Sequence, residues 1–115
     1  MPRDYSFILE PMLEEAKTIA EALVGISHDE YMAALHLRRS VHLGFILIGE
    51  LAGKLSAEFR ALHPGIDWRR IISMRNRLVH DYESLDEDIV WLSAQRSLPQ
   101  LIAQLTQMLQ DATAG

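Results

Sequence analysis

The chain has 115 residues, 49% of them hydrophobic, and a mean hydropathy of +0.01, which suits one domain with a real core and excludes a disordered chain. It has no cysteine, which rules out disulfides and thiolate metal sites and fits a reducing cytoplasm. Its net charge of −5 argues against a generic nucleic-acid coat, because phosphate binding draws on pooled basic charge.

In chain order, Tyr5, Ile8, Met12, Ile19 and Leu23 recur at helical spacing, with Glu10, Glu14, Glu15, Lys17 and Glu21 mostly on the other side. Gly25 stops this helix and Ser27 to Asp29 offers the next N-cap. A longer helix is expected from His28 to Leu55, and its half from Val41 onward is apolar almost all round, as in a buried central helix. Gly44, Gly49 and Gly53 would each cost that helix about 1 kcal/mol relative to alanine unless they allow close packing. Glu50 is the exception on it, so it either meets a motif arginine or stands in water at a bundle edge.

Ser56 opens a short helical turn that Pro64 and Gly65 stop, and Asp67 caps a helix beginning at Trp68. Asp86, Glu87 and Asp88 suit a helix start better than a metal site, and His28, His36, His42 and His63 lack ligand spacing, so no metal is assigned. Pro99 should kink the last helix or begin a fresh one, after which Leu101, Ile102, Leu105, Met108 and Leu109 form a clean stripe. No strand alternation occurs. The fold class is all-α, an antiparallel up-and-down bundle of four or five helices spanning residues 1–115 as a single domain. The longest apolar run, Leu43 to Ile48, is too short to span a bilayer, and the N-terminus lacks an apolar signal region, so a cytoplasmic protein without membrane attachment is expected.

The chemistry concentrates in Met74-Arg75-Asn76-Arg77-Leu78-Val79-His80-Asp81-Tyr82. Arginine grips phosphate through a planar fork of donors, and histidine exchanges protons near neutral pH. Together they suit phosphodiester cleavage without a metal. On a helix, Arg75 and His80 lie about 140° apart, whereas Asn76 shares a face with His80 and Arg77 precedes it by three. Arg75 and Tyr82 share a second face only if the helix continues that far. One copy therefore converges poorly on a phosphate, and two copies across a twofold axis could complete the site. Six bases fall between Lys54 and Arg77 against two acids, Glu58 and Asp67, so Arg69, Arg70 and Arg77 are candidate contacts to a polyanion or else ion-pair partners on a solvated face. By themselves these residues leave packing and capping roles open for His80 and Tyr82.

Between residues 48 and 101 the segments Ile48-Gly49-Glu50, Leu55-Ser56-Ala57-Glu58-Phe59-Arg60, His63-Pro64-Gly65-Ile66-Asp67-Trp68, the motif itself, Asp88-Ile89-Val90-Trp91 and Leu98-Pro99-Gln100-Leu101 resemble the HepT-like toxins of the HEPN superfamily. The family signature (arginine, four residues, histidine, one residue, tyrosine) falls on Arg75, His80 and Tyr82. The resemblance implies a helical bundle that dimerises with two motifs in one cleft. It further implies metal-independent endoribonuclease activity with no cofactor, and a toxin whose RNA cleavage arrests growth. An MntA-type nucleotidyltransferase antitoxin would neutralise it by adenylylating Tyr82. Arg75 and His80 become the catalytic candidates, with Asn76 and Glu50 in support. Two other functions stay open: a non-catalytic helical module that binds a nucleotidyltransferase, and a structural dimer whose basic stretch pairs with an acidic partner.

Overall fold

A computed structural model describes residues 4–114, with side chains through Ala112; residues 1–3, including Arg3 and the start of the segment read for a signal, and Gly115 lie outside the described residues. The helices are α1 Ser6–Ala22, α2 His28–Ala33, α3 Leu35–Gly53, α4 Ala57–Ala61, α5 Trp68–His80, α6 Glu87–Leu92 and α7 Leu98–Ala114. A 3₁₀ turn, Tyr82–Ser84, follows α5, and a π-helical segment, Ser93–Ser97, joins α6 to α7. No strand occurs among the described residues, and the bundle is the all-α class that the periodicity predicts.

The long helices pack as the apolar stripes dictate. α1 lies against α3 and α7, and α5 lies against α3. The inward side chains Met12, Ile19, Val41, Ile48, Leu98 and Leu105 are almost fully buried. Each contributes about 1.5–3 kcal/mol relative to exposure. Two of the three α3 glycines earn their place by contact. A Cβ at Gly44 would sit 2.6 Å from Ile19 of α1, and one at Gly49 would sit 2.2 Å from Arg75 Cβ of α5. Gly53, the last residue of α3, has open space around it.

One expectation is corrected. The helix read over residues 28–55 is two helices, broken at Ala34, whose φ of −107° and ψ of 88° leave the helical region. The Arg38 guanidinium supports the break: its Nη1 donates to the Met32 carbonyl and, at 3.4 Å, to that of Tyr31, which also accepts from Ala34 N–H. The start of α2 is capped on both sides, with Ser27 Oγ accepting from Glu30 N–H and Glu30 accepting from Ser27 N–H.

The motif helix is set by its own caps. Asp67 accepts from the Arg70 N–H at 3.0 Å, and the buried Trp68 indole donates to the carbonyls of Arg60 and His63, both at 3.1 Å. Trp68, Met74 and Leu78 are buried, so Arg69, Ser73, Asn76, Arg77 and His80 face outward. Pro99 is the second residue of α7, and the π turn before it, closed by Leu98 N–H to Ser93 O, absorbs the missing donor. Among the described residues no helix is long and apolar enough to cross a membrane.

Candidate functional site

Arg75 and His80 come off opposite sides of α5, as their spacing requires. They are separated by roughly 7.5 Å along the axis and about 140° around it. Arg75 points back toward α3. Its side chain is 29% exposed, its Nη2 lies 3.6 Å from Glu50 Oε1, and its Nη1 donates to Asn76 Oδ1 at 3.1 Å. Gly49 makes this approach possible, because any side chain there would occupy the space of the Arg75 stem. Glu50 is 46% exposed, so it both pairs with a motif arginine and reaches water. A partly exposed pair of this kind contributes little to stability and mainly orients the fork.

His80 ends α5 in the last turn, beside Arg77, where positive charge complements the helix dipole. It is exposed, and among the described residues its side chain has no hydrogen-bond or ion-pair partner. Asn76 is spent on Arg75 and makes no hydrogen bond to His80. The shared face of Asn76 and His80 therefore brings no contact between them in this single chain.

Arg69 and Arg77 line an open groove along α5 together with Arg60, Ser73, Asn76 and Asp81. Arg60 was not among the sequence candidates. Its Nε is buried without a hydrogen-bond partner, while its backbone closes α4 onto Trp68. Arg70 faces away from this groove and lies 3.8 Å from Asp67 in an exposed pair.

Tyr82 departs from the geometry considered above. The helix does not continue to it. Asp81 caps α5 through its N–H to Arg77 O at 2.9 Å, and the 3₁₀ turn swings the Tyr82 ring onto α3. There its Oη lies 2.9 Å from His42 Nδ1, with the rings edge to face and their centres 5.3 Å apart. His42 is only 4% exposed. Its Nε2 stands 2.5 Å from Glu87 Oε1 in a contact bent off the ring N–H axis. Glu87 Oε2 accepts from the fully buried Tyr31 hydroxyl at 2.8 Å, and Arg38 Nε approaches Oε1 at 3.8 Å.

These five side chains form one polar network under the motif. A carboxylate only accepts, so the Nε2 facing it carries the proton; Nδ1 is then the acceptor and Tyr82 the donor. Burial holds the His42 imidazole below its usual range, outweighing the pull of Glu87, and Arg38 and Arg39 push the same way as burial. Burial also raises the Tyr31 phenol far above its usual range, with Glu87 adding to the effect. The acidic run at residues 86–88 is a helix start, with Asp86 accepting from Asp88 N–H at 3.0 Å, but Glu87 does more than complement a dipole. Asp88 binds exposed His28 at 2.7 Å. No group of three metal-ligating side chains forms among the described residues.

Comparison with known proteins decides the class. Residues 12–108 match the family described as Ribonuclease HepT-like. The chain belongs to that family. A Caldanaerobacter subterraneus subsp. tengcongensis protein named "Putative RNase TTE0752" is 32% identical over 109 residues, 95% of each chain. A Thermococcus cleftensis protein named "Probable ribonuclease HepT" is 28% identical over 88% of this chain and 92% of its own. No solved structure matches. Within this HepT-like chain the signature arginine, histidine and tyrosine are Arg75, His80 and Tyr82, one on each side of α5 and one beyond its end.

Proposed function

We propose that this HepT-like chain is a metal-independent endoribonuclease whose active site is completed by two copies of α5 meeting across a twofold axis. The observation that carries the reading is the state of His80: exposed, unpartnered, and at the end of a helix whose other face holds an oriented arginine fork. A structural histidine would be spent on a cap or a partner. The exposed apolar neighbours Val79 and Tyr82 flank it and suit a surface that a second copy covers.

In this scheme His80 takes the proton from a ribose 2′-OH or delivers one to the leaving 5′-oxygen. Such proton transfer contributes on the order of 10²–10⁴-fold in rate. The 2′-oxygen attacks the adjacent phosphorus, the bond to the 5′-oxygen breaks, and a cyclic phosphate results. RNA is thereby required over DNA. Arg75 stabilises charge on the phosphoryl oxygens, with Glu50 and Asn76 holding its fork in place. Arg69 and Arg77, joined by Arg60, supply phosphate contacts along the groove, and Arg70 a weaker, paired one. Net charge is negative, so binding rests on this local stripe.

The same reading makes the chain the toxin of a toxin–antitoxin pair acting in the cytoplasm. A partner nucleotidyltransferase of the MntA type would silence it by adenylylating Tyr82, two residues from His80. The added phosphate and purine would fill the cleft that RNA must enter. The test is RNA cleavage by purified protein in EDTA. Cleavage that persists in chelator and disappears in His80→Ala and Arg75→Ala supports the scheme. Cleavage abolished by EDTA and restored by magnesium rejects the metal-free route.

A further inference from the structure

We propose that His42, held by Glu87, is the general base that readies the Tyr82 hydroxyl to attack a nucleoside triphosphate, so that this chain supplies part of the machinery for its own modification. The proposal rests on reading Tyr82 as the acceptor. It turns on a difference among the chain's three tyrosines. Tyr5 is buried, with its hydroxyl on Ser56 Oγ at 3.0 Å. Tyr31 is fully buried and donates to a carboxylate. Tyr82 is 45% exposed and its hydroxyl meets an imidazole nitrogen that can take a proton. A partner enzyme can therefore reach the Tyr82 ring while the oxygen stays in contact with a base.

The arrangement has the parts of an activated nucleophile: a hydroxyl, a base within hydrogen-bond reach, and a third group orienting that base. Tyr82 Oη forms a bond to the α-phosphorus of the triphosphate. The bond from that phosphorus to the β-phosphate oxygen breaks and pyrophosphate leaves. The phenolic proton passes to His42 Nδ1, and the imidazolium that forms is paired with the Glu87 carboxylate beside its Nε2. Tyr31 and Arg38 hold that carboxylate from α2 and α3, so it stays in place before and after the transfer. A merely structural anchor for the turn would need one hydrogen bond. This one is backed by a partly buried acid with its own two partners.

The experiment uses the full chain, magnesium-ATP and a purified MntA-type nucleotidyltransferase, with the mass gain on the Tyr82 peptide followed over time. Wild type, Tyr82→Phe, His42→Gln and Glu87→Gln are compared, with circular dichroism reporting folding. The expected result is a Tyr82 adduct in wild type and none in Tyr82→Phe. His42→Gln should slow modification at saturating ATP by on the order of 10²-fold or more while KM for ATP stays within about twofold. Glu87→Gln, which leaves the imidazole in place, should show an intermediate loss. The wild-type rate should also fall as pH drops and His42 becomes protonated, a limb missing from His42→Gln; the groups facing that ring are Tyr31, Arg38, Arg39, Tyr82 and Glu87. Equal rates in wild type, His42→Gln and Glu87→Gln overturn the base while leaving the acceptor intact. Absence of a wild-type adduct, or an adduct that survives Tyr82→Phe, overturns the acceptor reading and the base with it.

Discussion

Alanine at position 49 tests how tightly the motif helix is fitted to α3. The added methyl would lie 2.2 Å from Arg75 Cβ, 2.8 Å from Arg75 Cγ and 3.2 Å from the Ile71 carbonyl. Carbon atoms in contact prefer about 3.5–4.0 Å, so α5 must shift by roughly 1 Å or more at Arg75. The nearest obstacle is a Cβ tied to backbone, not the free end of a side chain, so rotamer changes cannot relieve it. Overpacking costs about 1–3 kcal/mol, and a clash this short against a backbone-tied atom falls in the upper half of that range, about 2–3 kcal/mol. Alanine returns about 1 kcal/mol through helix propensity, which leaves a net loss of about 1–2 kcal/mol. For a domain of this size the melting temperature should fall by about 4–8 °C. Cleavage of RNA should fall further than stability does, because the shift moves Arg75 away from Glu50. Thermal unfolding by circular dichroism, paired with a cleavage assay well below the melting temperature, reads both effects. Gly53→Ala is the control: nothing lies within 4 Å of its would-be Cβ, so stability should hold or rise. A Gly49→Ala protein as stable and as active as wild type would refute the packing argument.

His80→Ala should abolish cleavage, a loss on the order of 10²–10⁴-fold, with unchanged unfolding, because the side chain is exposed and unpartnered. Ser27→Ala removes half of a capping box and should cost about 1 kcal/mol in urea unfolding with cleavage retained. Burial lowers the His42 pKa, so folded and unfolded states are both neutral there above about pH 6.5 and the ring contributes nothing to the pH dependence in that range. Below that pH the unfolded imidazole takes a proton that the folded one resists, so stability falls as pH drops from about 6.5 toward the depressed value. Urea unfolding at pH 7.5 and pH 5.5 should therefore show a larger acid loss in wild type than in His42→Gln, and equal losses would contradict the buried neutral imidazole. Tyr82→Phe deletes the donor to His42 and should cost about 1 kcal/mol.

Most of the fold was legible because caps and stripes agree with tertiary packing. Ser27, Ser56, Asp67 and Asp86 all cap where their side chains suggested. The break at Ala34 was not legible, because no glycine or proline marks it and the carbonyls at the end of α2 are met from outside that helix, by an arginine four residues later reaching backward. At the site, the divergence of Arg75 and His80 followed from helical spacing alone. The turn at Tyr82 did not, because a tertiary hydrogen bond to α3 sets it. His42 could have been found. It stands on the same apolar stretch as Glu50, and the reasoning that a polar group there needs a partner applied to it with more force, since it is the more buried of the two. Glu87 hid behind its neighbours, because an acidic triplet at a helix start explains itself without a buried member.

Mixing two inactive proteins tests the composite site most directly. Arg75→Ala and His80→Ala chains, unfolded together and refolded as a mixture, would form hybrid pairs in which one cleft holds an intact Arg75 from one copy and an intact His80 from the other. A site built between copies predicts recovered RNA cleavage, roughly a quarter of the wild-type rate for random pairing with one working cleft per hybrid. A mixture as inactive as either parent, with hybrid pairs verified by mass, would contradict the account.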